Sequence, residues 1–447
     1  MPKVFTRVIN LSQDLYVQPA IDMKFFLYRL ITILLSPVIL GHIIWKAYSN
    51  SEKNYFTQRL GFGYRPECVG NRSESGCLWF HCASVGEVNT LLPLLRHIHQ
   101  QHPGQHFIIT TNTITGASIV RRQQLAYVHH IYLPFDWSYS IERFLRWVRP
   151  RALYIMETEI WPNLIRHCRR HDIPVSIING RLSSKTMSAN GFVKGLLAGS
   201  LQHVTHIASR SEQDTAAWLK LGAKPGTVET VGNLKLTTAM QCDADADDFS
   251  SMRDYVLLAS SHDDEDRQFF DVWNSLKRDE LLIIAPRHPE RADSIIRQLK
   301  SIRSDVKLAQ RSKGEMPIID TGDHTGDDTD VFLLDTVGEL KNYFANARLV
   351  IMGGSFVPVG GHNILEPASY GNAIITGPYM ENFSDELALM KDNDAIVQLD
   401  NMQQMSETLS MLLDDDGKRQ VLADNTGKVS QDVSKLLDDY AAIVLGA

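Results

Sequence analysis

Short runs of uninterrupted apolar residues, each followed by a loop and a helical stretch, repeat along the chain from about residue 75 onward. They lie at residues 78–81, 107–111, 131–133, 153–156, 175–178 and 207–209, and again at 256–259, 281–285, 331–334, 349–352 and 373–376. A strand with one face in water alternates apolar and polar residues, whereas one that is apolar throughout needs cover on both faces. That is the condition of a parallel strand with helices on either side. The pattern therefore points to an α/β fold, and it runs twice. Residues 237–250, between the two sets, are rich in Ala and Asp and poor in large apolar side chains, as expected of a linker. A chain of 447 residues is too long for one ordinary core and suits two. The expected architecture is two doubly wound, Rossmann-like domains facing a central cleft, with ligands at the carboxyl ends of the strands. The N-terminal domain is expected over 51–236 and the C-terminal domain over 251–425. A last helix over 426–447 has packing back on the N-terminal domain as one arrangement.

Composition narrows the class of function. A formal net charge of -7 argues against a general nucleic-acid binder while leaving room for basic patches that hold an anionic ligand. The cysteines Cys68, Cys77, Cys82, Cys168 and Cys242 are odd in number, scattered, and without the C-x-x-C spacing of a zinc or redox site, which fits a reducing compartment. Residues 25–45 depart from the rest. FFLYRLITILLSPVILGHIIW is nearly continuous apolar sequence, long enough to cross a hydrocarbon core of ~30 Å. Arg29, Pro37 and His42 are faults in a spanning helix, so three expectations stand: a membrane-anchor helix over 25–50, a helix lying in the headgroup zone, or a hydrophobic helix docked on the body of the protein. Lys46, Lys53, Arg59 and Arg65 follow the segment and favour a cytoplasmic location for what comes after. Residues 1–24 are an extension without readable pattern, and Met23 is a second candidate start.

In the first half the polar residues follow the strands. Ser84-x-x-Glu87 after residues 78–81 reads as a capping box, in which serine and glutamate each satisfy a free N–H of the first helical turn. The other reading of Glu87, on a helix expected from Val88, is a base that takes the proton of an attacking hydroxyl. The stretch TTNTITG, residues 110–116, is a cap or an anion-binding loop. Glu157 and Glu159 in METEIWPN place two carboxylates beside Trp161, an arrangement that needs cations, hydroxyls or N–H donors, although one of them can cap the next helix. Arg181 in NGRLS is a candidate partner for either, or a grip for a phosphate on the acceptor. Lys235 in GNLK is a candidate for neutralising charge in the cleft, or one more solvated lysine.

In the second half Pro286-Arg287-His288-Pro289-Glu290-Arg291 offers a stiff loop with a guanidinium suited to phosphate, or simply a charged surface loop. Asp335-Thr336-Val337-Gly338-Glu339-Leu340 joins a strand to a helix. Gly353-Gly354-Ser355 follows residues 349–352, where glycines let backbone donors approach a phosphate. Beyond it, Gly360-Gly361-His362-Asn363-Ile364-Leu365-Glu366-Pro367 starts a helix at Asn363 and brings Glu366 toward ligand hydroxyls. There is no G-x-x-x-x-G-K-S/T and no clustered His or Asp, so ATP hydrolysis and an obligatory metal are not expected.

Taken in order, ASVGE, METEIWPN, NGRLS, GNLK, PRHPER, DTVGEL, GGS and GGHNILEP closely resemble the Kdo transferases, which add 3-deoxy-D-manno-octulosonic acid to the lipid A precursor in lipopolysaccharide biosynthesis. The resemblance runs from about Tyr55 to the last helices. It implies a GT-B fold, CMP-Kdo as donor, inversion at the anomeric carbon, no cofactor and no metal. It also implies Glu87 as general base, and Glu157 and Lys235 as stabilisers of the transition state. For CMP it implies Pro286, Arg287, Val337, Gly338, Glu339, Asn363, Ile364, Leu365 and Glu366, with the turn Gly353, Gly354 and Ser355 beside the phosphate. Cys82 and Asn233 depart from the family's usual residues without changing a charged group. The expected partners are CMP-Kdo, a lipid A precursor and the cytoplasmic face of the inner membrane, with neither nucleic acid nor an obligatory protein partner. A relative acting on a UDP-sugar, such as an epimerase, and an inactive membrane-tethered binding protein are the alternatives. A preference for UDP over CMP would favour the former, and the intact Glu87, Glu157, Lys235 and Glu366 argue against the latter. The number of Kdo residues added has no local signature.

Overall fold

The computed structural model describes residues 23–49, 52–64, 77–240, 253–317 and 329–446. The chain divides into two compact units, Met1–Thr238 with Leu436–Ala447, and Ala239–Lys435.

The first unit opens on two helices, α1 (Met23–Leu34) and α2 (Ser36–Ser49), bent by 55° at Leu35, just before Pro37. The continuous helix expected over the apolar stretch is therefore not formed. Proline at the second position of α2 has no N–H to continue the ladder of α1. Among the described residues no single helix is long and apolar enough to cross a membrane, though this bent pair has the length and composition to do so together. One side of the pair is fastened to the unit. Phe25 and Ile43 are buried, the Tyr28 hydroxyl donates to Asp136 at 2.8 Å, Arg29 Nε donates to Asn163 Oδ1 at 2.9 Å, and Trp137 donates to the Thr32 carbonyl at 3.2 Å. The other side exposes Phe26, Ile33, Leu34, Val38, Ile44 and Trp45.

After α3 (Lys53–Arg59) strands and helices alternate: β1 (Leu78–Cys82), α4 (Val85–Gln101), β2 (Phe107–Thr111), α5 (Ile114–Arg122), β3 (Val128–Tyr132), α6 (Ser138–Val148), β4 (Ala152–Met156) and α7 (Pro162–Arg170). Then come β5 (Val175–Gly180), α8 (Ser184–Met187), α9 (Gly191–Leu201), β6 (His206–Ser209), α10 (Glu212–Leu221), β7 (Val228–Thr230) and α11 (Lys235–Ala239). The sheet is parallel, in the order β3-β2-β1-β4-β5-β6-β7. Trp79, Phe80, Leu153, Tyr154 and Ile177 have no exposure, and each such side chain contributes about 1.5–3 kcal/mol of burial. Pairs such as Trp79 with Phe80 point to opposite faces and enter separate core clusters, as a sheet covered on both sides requires. The chain winds outward from β1 to β3 and returns to β4, so the crevice at the strand carboxyl ends lies between β1 and β4.

The second unit repeats the plan: β8 (Tyr255–Ser261), α12 (Glu265–Leu276), β9 (Leu281–Pro286), α13 (Ala292–Ile302), β10 (Leu308–Gln310), β11 (Val331–Leu333), β12 (Leu349–Met352), α14 (Leu365–Ala368), β13 (Ile374–Thr376), α15 (Ser384–Asp392), β14 (Val397–Gln398), α16 (Met405–Asp414) and α17 (Asp416–Leu445). Its parallel order is β10-β11-β9-β8-β12-β13-β14, which puts the switch between β8 and β12. The last turns of α17 belong to the first unit. Tyr440, Ala441 and Val444 are buried in its core, the Tyr440 hydroxyl donates to the Gly232 carbonyl at 2.8 Å, and Tyr154 donates to the Val444 carbonyl at 2.6 Å. Residues 241–250 of the expected linker lie outside the described residues.

Candidate active site

Glu87 stands at the switch point of the first unit. Ser84 caps α4, accepting the Glu87 N–H at 3.2 Å and donating its hydroxyl to Glu87 Oε1 at 2.9 Å, and the Ala83 N–H donates to Oε2 at 2.8 Å. The cap starts the helix at Val85 rather than Val88. Each carboxylate oxygen accepts one bond and has a second lone pair left, so capping does not exhaust the group. Burial pushes its pKa from 4.5 to about 7; the Ala83 and Ser84 donors oppose the rise and the Glu157 and Glu159 charges add to it.

Across the switch, β4 is followed directly by Glu157, whose φ of 54° is left-handed. Its carboxylate takes Lys235 Nζ at 2.9 Å on one oxygen and Arg181 Nε at 2.8 Å on the other. Both oxygens of this carboxylate are thus neutralised by side-chain cations. Glu159 accepts from Trp161 Nε1 at 3.1 Å and Asn112 Nδ2 at 3.3 Å, and His81 Nε2 lies 3.9 Å away. Neither glutamate caps α7. Asp136, from the loop after β3, does so by accepting the Asn163 and Leu164 N–H groups at 3.0 and 2.8 Å. Thr113 caps α5, accepting the Gly116 N–H at 3.1 Å.

The second unit distributes its candidates over three loops. Arg287 and His288 are exposed just after β9. After β11, Val337 is 87% exposed, Gly338 has a φ of 90°, and Glu339 is gripped by Arg311 at 2.7 and 3.0 Å and by the Thr336 hydroxyl, which hold its carboxyl below the usual range. In the third loop Asn363 Oδ1 accepts the Leu365 N–H at 3.0 Å and its amide donates to the Ala239 carbonyl at 2.7 Å. The helix there starts at Leu365, two residues later than expected, with Ile364 and Leu365 buried. Burial raises the Glu366 pKa and Lys341 opposes the rise.

The glycine turn differs from expectation in one respect. The Gly354 and Phe356 N–H groups donate to buried Glu265 at 2.7 and 2.9 Å, the Gly353 N–H goes to the Ala259 carbonyl at 2.7 Å, and the Ser355 hydroxyl, fully buried, accepts the Gly377 N–H at 2.7 Å. These groups are turned into the fold. A Cβ on Gly353 would come within 2.6 Å of the Ser261 Cα, so close strand packing accounts for that glycine. Glu265 and His262, neither of them in a motif marked above, meet here: Glu265 also accepts the His262 N–H at 2.8 Å. The available signal was a run of polar residues, Ser260 to His262, ending an apolar strand at the switch. Among the described residues, no group of three His, Cys, Asp or Glu is placed to hold a metal ion.

A family model described as 3-deoxy-D-manno-octulosonic-acid transferase (kdotransferase) matches residues 54–238. The 3-deoxy-D-manno-octulosonic acid transferase of Haemophilus influenzae is 30% identical over 386 residues, covering 84% of this chain and 87% of that protein. That of Bordetella pertussis is 30% identical over 327 residues, covering 69% and 72%. Among solved structures, the C-terminal CMP-Kdo binding domain of WaaA from Acinetobacter baumannii is 28% identical, covers 40% of this chain and 90% of that one, and has a TM-score of 0.36. With the relative from Haemophilus influenzae matched over most of both chains, this chain belongs to the 3-deoxy-D-manno-octulosonic acid transferase family.

Proposed function

We propose that the chain takes Kdo from CMP-Kdo and joins it, with inversion, to a hydroxyl of a lipid A precursor, at the cytoplasmic face of the inner membrane. The observation that carries this reading is Glu87: a buried carboxylate at a strand's carboxyl end, beside two further carboxylates, with its pKa raised to about 7. A general base works best when its pKa lies near the working pH. The acceptor hydroxyl gives its proton to Glu87 and its oxygen bonds the anomeric carbon. The bond from that carbon to the phosphate oxygen breaks, and its electron pair leaves with CMP. Lys235 and Arg181, both held by Glu157, are the cations that offset substrate carboxylate and phosphate charge at this carboxylate-rich site.

In the second unit, Pro286, Arg287, Val337, Gly338, Glu339 and the run Asn363 to Glu366 hold CMP, with Glu366 on the ribose hydroxyls. The bent helix pair supports a membrane-surface role, because its outer face exposes large apolar side chains while its inner face is tied to the unit by Tyr28 and Arg29.

The test is to incubate the purified protein with CMP-Kdo and a lipid A precursor and weigh the lipid. A mass gain of one or more Kdo residues is expected from wild type. Glu87→Gln should fold and bind CMP as wild type does while transfer falls by ~10²- to 10⁴-fold. Near-normal transfer by that variant removes Glu87 from the reaction.

A further inference from the structure

The switch point of the second unit carries a group of histidines that no step above uses. His262 follows β8 and His362 lies in the loop after β12. Their Nε2 atoms are 2.8 Å apart and their rings nearly parallel, with centroids separated by 5.0 Å. His288, from the loop after β9, stands edge-on to His262 at 5.7 Å. The Arg287 N–H donates to the Ser261 carbonyl, one residue from His262, at 2.9 Å. Gly354 makes room for the pair: its φ is 65°, and a Cβ there would come within 2.8 Å of the His362 ring.

A 2.8 Å contact between two Nε2 atoms holds one proton, donated by one ring and accepted by the other. In the neutral pair the accepting ring carries its own proton on Nδ1, while the donating ring has a bare Nδ1. The pair therefore turns one N–H and one lone pair away from their mutual contact, and a single added proton makes both of them donors. Burial holds both rings below the ordinary histidine range, His362 at about 4; Arg287 and the His288 ring add to this for both, and Arg291 for His262. The nearby acids are engaged elsewhere. Glu265 accepts three N–H groups, Asp263 and Asp266 bind Arg291, and Glu290 lies 3.6 Å from His288. Because Glu265 also takes the Gly354 and Phe356 donors of the glycine turn, an anion reaching this switch point meets imidazoles and a guanidinium.

We propose that the His262–His362 pair, with Arg287 beside it, receives the phosphate of the nucleotide in the second unit through imidazole N–H donors. This rests on the reading of that unit as the CMP-binding half. A phosphate oxygen that only accepts hydrogen bonds favours the protonated pair, so the leaving phosphate, as its negative charge grows, is met by a proton taken up from solvent.

The experiment compares CMP with cytidine by calorimetry on the full chain, in wild type, His262→Gln and His362→Gln. Both variants should weaken CMP by roughly tenfold or more while changing cytidine affinity less than about twofold. Equal losses for CMP and cytidine, or no loss for either, overturn the pair's role. Wild type that binds neither, or that prefers UMP, overturns the donor reading instead. If the variants melt early, wild-type protein labelled at histidine ¹³Cε1 gives the same answer. CMP, and not cytidine, should shift two histidine resonances and raise their titration midpoints; histidines unmoved with CMP bound overturn the proposal.

Discussion

Glu87 is both a helix cap and the proposed base, and the two roles share one cause. The Ser84 and Ala83 donors orient the carboxylate while burial makes its charge costly. The folded chain therefore holds the Glu87 proton more tightly than the unfolded chain. This contribution is fully present below pH 4.5 and declines as pH rises through about 7, by about 3 kcal/mol at most. Glu87→Gln has no charge to bury, so its melting temperature relative to wild type should climb between pH 5 and pH 8. A constant offset would show that the carboxylate is not strained. In wild type, kcat/KM should fall as the pH drops below 7 and the base is protonated. Glu157 stores strain of another kind, a left-handed backbone where only glycine is at ease. Glu157→Gly and Glu157→Ala both lose the Arg181 and Lys235 pairs, so their difference isolates the backbone. In urea unfolding the glycine variant should be more stable by about 1 kcal/mol, and an alanine variant of equal or greater stability would refute the strain.

Among elements, those legible in the sequence were the central ones. Strands such as β2 and β12 match their expected bounds because every residue is buried and the runs are apolar or, at Thr110 and Thr111, β-branched. β7, β10 and β14 have no apolar run to mark them, β3 begins three residues before its run, and these four are the edges of the two sheets. An edge strand is short, has one partner and tolerates polar residues such as Glu229, His129, His130 and Gln310. In the α1–α2 pair the break at Pro37 is legible in the sequence, but the bonds by which Asp136 and Asn163 hold Tyr28 and Arg29 are not, because hydropathy does not record partners from distant elements. Its exposed face yields a prediction at this scale. Replacing Ile33, Leu34 and Val38 by serine should sharply reduce co-sedimentation with anionic vesicles and leave CMP affinity unchanged. Undiminished sedimentation would place membrane contact elsewhere.

For the whole molecule, α17 is the element that belongs to both units. Leu422 is part of the second unit's core and Thr426 donates to the Ala395 carbonyl, while Tyr440, Ala441 and Val444 complete the core of the first unit. The first unit is thus not complete until the final residues of the chain are in place. Tyr440→Ala should cost about 3–5 kcal/mol, as large core truncations do. Tyr440→Phe, which forfeits only the bond to the Gly232 carbonyl, should cost about 1 kcal/mol in thermal or urea unfolding. Similar costs for the two would mean that the ring's packing matters little.

The two parallel sheets, the strand ends at which chemistry gathers, and the order of motifs that marks the family are all legible in the amino-acid sequence. Each of these is written locally, in apolar runs covered on both faces and in polar residues that directly follow them. Only the tertiary structure decided which polar groups meet: Arg181 and Lys235 on one Glu157, Glu265 drawing in the glycine turn, and His262 against His362, a hundred residues apart. Such pairings depend on the order in which strands sit side by side, and no local pattern of residues encodes that order.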